Sequence, residues 1–334
     1  MDFRLDELDT DVARAARAAF SGRLSPERWT RPETGDAGWT LLGEDGWLDA
    51  GLADSDIDAP AGLSALTIIG REAGRSLAGD GFVNNAVLLS LLLDSASDKR
   101  GSAELVGRPG FLVADARTED ITGSSAGATS VCMGVEPGMS AYLVTRSGEI
   151  QRWPAHAWTF EPFGSLALGA GAVRLAADVE PDFVAEIGGP DREALLLMAR
   201  TVHAASLVGL GEHALAETVA HVLRRDQFGG PIGRFQAIKH GLADVAVALE
   251  VAWNAVMYAA MDTDQASVSI AQIEARSASE AAARSMTQYF GGIAITWEHP
   301  AHLYLKTALV SGARFLSGEI ANNRVLAALT EGSH

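Results

Sequence analysis

Cysteine is almost missing from this 334-residue sequence: Cys132 stands alone, so no intrachain disulfide and no thiolate metal cluster can form. Stability must come from packing. Basic residues are also few, 26 Lys and Arg against 43 Asp and Glu, which gives a formal charge of −17. That sign repels phosphate backbones and anionic lipid, so no nucleic acid and no membrane surface is expected as a partner. Long apolar runs are missing too. The longest, Ala86 to Leu93, is broken by Ser90 and is far shorter than the roughly 20 residues of a spanning helix, so no transmembrane helix is expected. The opening residues, MDFRLDELDTDVARAARAAF, are acidic where a signal peptide is basic and then apolar, and a cytoplasmic address is the expectation. What the chain has is apolar mass: 48% hydrophobic and 21% charged residues, enough for a full core and two or three packed units.

Apolar residues of the first third recur at helical spacing, as in Leu63, Leu66, Ile69, Gly70, Ala73 and Leu77. From about Gly110 the pattern shifts to short runs rich in Val, Leu and Thr: GFLVADA, ATSVCMGV, SAYLVTR, EIQRWPAHAWTFEP and AVRLAAD. These predict a small antiparallel β unit. After Pro190 long helical patterns return. One runs from Asp191 to Arg225; the next steps through Ile238, Leu242, Val245, Leu249, Trp253, Val256 and Ala260, one apolar face of about six turns. A short Gly-rich turn between two long helices predicts an antiparallel pair in a bundle. The α and β parts are segregated, so the fold class is α+β, mostly α, with units at 1–108, 109–185 and 186–334.

Two segments carry chemistry. Arg225-Asp226-Gln227-Phe228-Gly229 is followed by Pro231-Ile232-Gly233 and Phe235-Gln236; Gln288-Tyr289-Phe290-Gly291-Gly292 is followed by Glu298 and Pro300. Together they resemble the R-x-x-F-G-x-x-I…F-Q and Q-x-x-G-G…E-x-P signatures of the acyl-CoA dehydrogenases, and SALTIIGREAGRSL is similar to that family's E-x-G-R-x-L helix. The resemblance implies an N-terminal helical domain, a β domain reduced here, and a C-terminal four-helix bundle that forms the oligomer interface. It also implies FAD lying across a subunit boundary, its adenosine pyrophosphate clamped by Arg225, Gln227, Phe228, Gln288, Gly291 and Gly292. The chemistry suits that role: Arg offers a planar fork to a diphosphate, paired glycines let main-chain amides approach, and Phe supplies a flat wall.

The departures are selective. Removing the weakly acidic proton next to a thioester carbonyl needs a carboxylate base. The family position 23 residues after Gly292 is Phe315, and the alternative position 29 residues before Phe228 is Ala199, beside a matching Arg200. Neither can take a proton, so no catalytic residue is assigned. The stretch ARTEDITGSSAGATS keeps Thr118-Glu119 and Ser124-Ser125 but lacks the Pro and Asp of the family's flavin-ring segment, which implies an empty flavin pocket in this chain. The resemblance thus implies a subunit that pairs with a catalytically complete relative, as in the α2β2 dehydrogenases of actinobacterial steroid side-chain degradation. A steroid side-chain acyl-CoA would be held mainly by the partner, and an electron-transferring flavoprotein would take the electrons. Two rivals stay open: a complete homo-oligomer whose base has moved to Glu193 or Glu212, and a flavin-free scaffold. Glu319 falls on no family site. His299 and His302 beside Glu298 have metal-ligand spacing, but Pro300 between them marks a helix start, and no metal is assigned. His203, His213 and His221 read as packing residues, Trp153 and Trp158 as β packing.

Overall fold

The computed structural model describes residues 5–26, 38–50, 62–94, 110–112, 129–162, 170–315 and 325. Its helical beginning is α1 (Glu7–Arg23), α2 (Gly38–Glu44) and α3 (Leu63–Arg75). Then α4 (Gly79–Phe82) leads through a π-helical stretch (Val83–Leu88) into α5 (Leu89–Asp94). Asp6 starts α1 by accepting the Asp9 N–H at 2.8 Å, which satisfies one of the donors left open at a helix start. The closing helices are α6 (Gly189–Arg224), α7 (Gln236–Met261), α8 (Gln265–Phe290) and α9 (Ala301–Ser311). Pro190 occupies the first turn of α6, and Asp264 caps α8 by accepting from Ala266 and Ser267.

The glycines of α3 and α6 are where those helices touch. A Cβ at Gly74 would lie 1.9 Å from the Ser206 carbonyl oxygen, and one at Gly209 would lie 1.8 Å from that of Arg71. Only glycine permits that approach. Gly211 does the same for α6 against α7 and α8, where a Cβ would meet Leu249 at 2.6 Å. By length and composition α6 and α7 are each apolar enough to span a membrane, although neither contains an unbroken apolar run of that length. Bundle packing accounts for much of that hydropathy, since 78% and 44% of their most apolar windows are buried inside the protein.

The middle unit also corrects the sequence reading. Among the described residues it holds two sheets, β1-β3-β4-β7 and β2-β6-β5. The strands are β1 (Gly110–Leu112), β2 (Thr129–Met133), β3 (Ser140–Val144) and β4 (Glu149–Trp153). They continue as β5 (Trp158–Pro162), β6 (Ala170–Leu175) and β7 (Asp182–Glu186). Not every pair is antiparallel: β1 runs parallel to β3, Gly110 opposite Ser140. Alternation of side chains marks a strand but not its neighbour, so this pairing was invisible in the sequence. The stretch EIQRWPAHAWTFEP turns at Pro154–Ala157 and feeds a different sheet with each half. Trp153 is fully buried, and Trp158 meets Phe111 edge-on while its indole N–H donates to Met139 O.

Candidate functional site

One end of the bundle gathers the C-terminus of α6, the N-terminus of α7 and the C-terminus of α8. Arg225 follows α6 and reaches α8: its Nη1 donates to the carbonyls of Tyr289 and Phe290, at 3.3 and 3.0 Å. These carbonyls belong to the last turn of α8, so Arg225 caps that helix. Gly291, at φ +69, turns the chain there, and a Cβ would meet only the Arg225 guanidinium, at 3.7 Å. Gly292 is exposed with open space where a Cβ would sit. Arg225 and the Gly pair are thus brought together, with one edge of the guanidinium engaged by main chain. Gln227, Phe228 and Gln288 are exposed at the same end; Phe228 stands out at 84%.

Three histidines gather at this end: His221, read from the sequence as packing, and His299 and His302, weighed there as metal ligands. His221 stacks on Phe290 at 4.0 Å, and His299 tilts against the same ring at 4.4 Å. Burial, then the charge of Arg225, lowers the His221 pKa. His299 accepts from the Ala301 N–H at the start of α9, and His302 packs edge-on against Trp297. Among the described residues no group of three or more His, Cys, Asp or Glu side chains is placed to hold a metal.

The two base positions converge elsewhere. Ala199 lies fully buried on α6, one turn before His203, and Phe315 lies 6% exposed in the same apolar cluster. The Phe315 ring meets His203 edge-on at 5.1 Å. Around them sits a polar tie that the sequence did not announce. Arg314 donates to Asp80 Oδ1 at 3.0 Å and to Asn84, while His203 Nε2 lies 2.9 Å from Ser311 Oγ and 3.5 Å from Asp80. Burial alone would raise the Asp80 pKa, but the bond to His203 and the charge of Arg314 hold it well below the usual carboxylate range. Asp80 is therefore an ionised, paired group and a poor proton acceptor. His203 is buried and its pKa is lowered, so it stays neutral. The same His203 nitrogen faces both Asp80 and Ser311, which is not the arrangement of a nucleophilic triad.

The remaining carboxylates are placed as follows. Glu212 is taken up by Arg71 and Arg75, and Arg71 in turn lies 4.1 Å over the Trp253 ring. Glu193 is exposed on the first turns of α6. Glu72 of the E-x-G-R-x-L segment is buried and receives both Arg17 and Arg75. Arg200 is also buried and donates to Gln272 and Ser269. Thr118-Glu119, Ser124-Ser125 and Glu319 lie outside the described residues, as does most of the stretch read as the degenerate flavin-ring segment.

The sequence profile described as "Acyl-CoA dehydrogenase, C-terminal domain" matches residues 192–327. Acyl-CoA dehydrogenase IpdE2 of Mycobacterium tuberculosis is 31% identical over 274 residues, covering 81% of this chain and 79% of that protein. The chain belongs to the acyl-CoA dehydrogenase family. Its fold is that of the family. The ChsE4-ChsE5 complex from Mycobacterium tuberculosis contains a chain that superposes with a TM-score of 0.79 at 20% identity, 99% of each chain covered. A Tcur3481-Tcur3483 steroid ACAD variant superposes at 0.76 with 22% identity, covering 98% of this chain and 99% of that one.

For an acyl-CoA dehydrogenase, FAD is the group to test against these residues. The clamp fits its adenosine diphosphate half: an arginine with a guanidinium edge left beside main chain that no Cβ shields, and an exposed aromatic ring next to it.

Proposed function

We propose that this chain is the noncatalytic subunit of a heteromeric, FAD-dependent acyl-CoA dehydrogenase that introduces an α,β double bond into an acyl-CoA, a steroid side-chain thioester being the substrate class. The observation that carries this reading is that both base positions, Ala199 and Phe315, lack a carboxylate and lie in one apolar cluster, beside an Asp80 that is already bound to Arg314 and His203. No group there removes a proton next to a thioester carbonyl. When bound, FAD accepts the hydride in this reaction. This chain's part is to hold the cofactor: Arg225 against the diphosphate, Gly291 and Gly292 offering amides, Gln288 and Gln227 reaching ribose or base edges, and Phe228 as the wall. The base and the acyl pocket belong to a related catalytic subunit.

The heteromeric form is supported by the ChsE4-ChsE5 complex, whose two chains assemble, and the substrate class by the steroid ACAD. At their low identity both are carried to this chain as our reading. An α2β2 assembly, an electron-transferring flavoprotein as acceptor and a cytoplasmic address complete it. A relocated base is disfavoured because Glu212 is spent on two arginines and Glu193 is out in solvent.

Purification of the chain alone, and together with a candidate catalytic acyl-CoA dehydrogenase subunit, tests this. Flavin absorbance is expected only after co-expression, and Arg225→Ala and Gln288→Ala should then each weaken FAD retention. Flavin and turnover from the isolated chain would overturn the proposal.

A further inference from the structure

Phe228 carries two costs at once. Its ring is 84% exposed, and its backbone sits at φ +57, a left-handed conformation that side chains with a Cβ avoid. Gly229 follows at φ +84, so the two are the central residues of a hairpin turn in which Gln227 N–H donates to Gly230 O at 2.9 Å. Asn, Asp or Gly is the usual occupant of the first such position, and local preference does not place Phe there. Arg234 does. Its guanidinium donates to the Phe228 carbonyl and, at 3.1 Å, to the Gly229 carbonyl. It also lies 5.1 Å over the Phe235 ring, which meets Phe228 edge-on at 6.1 Å. Both peptides that would rotate in a free turn are tied to one planar fork.

We infer that Arg234 is a positioning residue of the clamp: it holds the Phe228 turn left-handed so that the exposed ring stands ready as a wall for the adenine of a bound adenine dinucleotide. The inference rests on the clamp reading above and adds a residue to it. Arg234 itself binds main chain, and its contribution to the ligand is to remove the ordering cost of the turn before binding. The pattern repeats that of Arg225, which ties two consecutive carbonyls just before the left-handed Gly291.

Two readouts separate the brace from its purpose. In the isolated chain, hydrogen exchange of the Gln227 amide should accelerate in Arg234→Ala and stay near wild type in Phe228→Ala. In the co-purified complex, stripped of flavin and titrated with FAD, Arg234→Ala should weaken binding about tenfold, the size of a lost left-handed preference. Phe228→Ala should do the same, the double variant no worse than either, and Arg234→Lys should recover part of the loss. Unchanged exchange in Arg234→Ala sinks the brace. Additive losses, or a lower melting temperature with unchanged FAD affinity, sink its link to the ligand. If exchange accelerates while Arg225→Ala and Gln288→Ala also leave FAD affinity unchanged, the clamp reading has failed and this purpose for Arg234 falls with it.

Discussion

Asp80 and Arg314 lie 234 positions apart, yet their side chains meet at 3.0 Å with 12% and 3% of their surfaces exposed. A buried pair of this kind is a weak net stabiliser when intact but a large liability when half removed, because the survivor keeps its charge without a partner. Arg314→Met should therefore lower the unfolding free energy of the isolated chain by about 3 kcal/mol, read from the denaturant midpoint. The double variant Asp80→Asn with Arg314→Met should regain part of that loss. The pH response follows from the same groups. His203 has a folded pKa below its ordinary 6.5, so the unfolded chain takes up the proton first and stability declines as pH falls below about 6.5. Asp80, held below its ordinary 3.8, adds a second decline below that value. His203→Asn should lessen the first decline, which His221 and His302 share, and soften the second, because Asp80 loses its His203 bond; an unchanged profile would remove His203 from the account. None of this was legible in the sequence, where neither Asp80 nor Arg314 stood in a motif. What could be read were the positions lacking a base, because a signature fixes spacing along the chain, whereas a tie across it leaves no periodic trace.

Elements were legible to the extent that one face of each is apolar at a regular step. Two of the long closing helices, α6 and α7, came out within a few residues of their observed ends, since Leu242, Val245, Leu249, Trp253 and Val256 all turn inward from α7. The parallel pairing of β1 with β3 and the strand β7 did not, because pairing depends on which strands the turns deliver to one another. Glycine made the sharpest difference between reading and structure. Gly209 and Gly211 carry no periodic signal, yet a Cβ at Gly209 would meet the α3 backbone and one at Gly211 the Leu249 side chain of α7. Gly74→Ala or Gly209→Ala would drive a methyl into a carbonyl oxygen, and either should cost about 3 kcal/mol or prevent soluble expression. Gly22→Ala is the control. It lies in α1 with nothing within 4 Å of the added carbon, so it should raise stability by roughly 0.5–1 kcal/mol. Thermal melts of the three variants decide the matter: gains at all three would mean that helix propensity, not the close crossing, governs these sites.

Across the whole molecule, α6 connects two sites with opposite histories. His203 and Arg225 are 22 residues apart along this helix and its cap, about 33 Å at the rise of an α-helix. In the proposed reading one end holds a partner's cofactor, while the other has packing residues, Ala199 and Phe315, at the base positions. The exchange is not a single substitution, which makes its reversal a strong test. In Phe315→Glu the new carboxylate would enter a site that is 6% exposed, on a backbone at φ +65, beside His203 and the Arg314 guanidinium that now faces the Phe315 ring at 4.5 Å. An acid there would be captured as a third member of the Asp80–Arg314 tie, its pKa pulled down by the cation and its lone pairs turned away from any substrate. Restored catalysis would need an open acyl pocket as well as a base. The variant, co-expressed with a partner whose own base has been replaced, should accordingly assemble, retain one FAD per pair of unlike chains, and show no turnover of acyl-CoA. Measurable turnover from that assembly would mean that this chain's own pocket is open and that only the base had been lost.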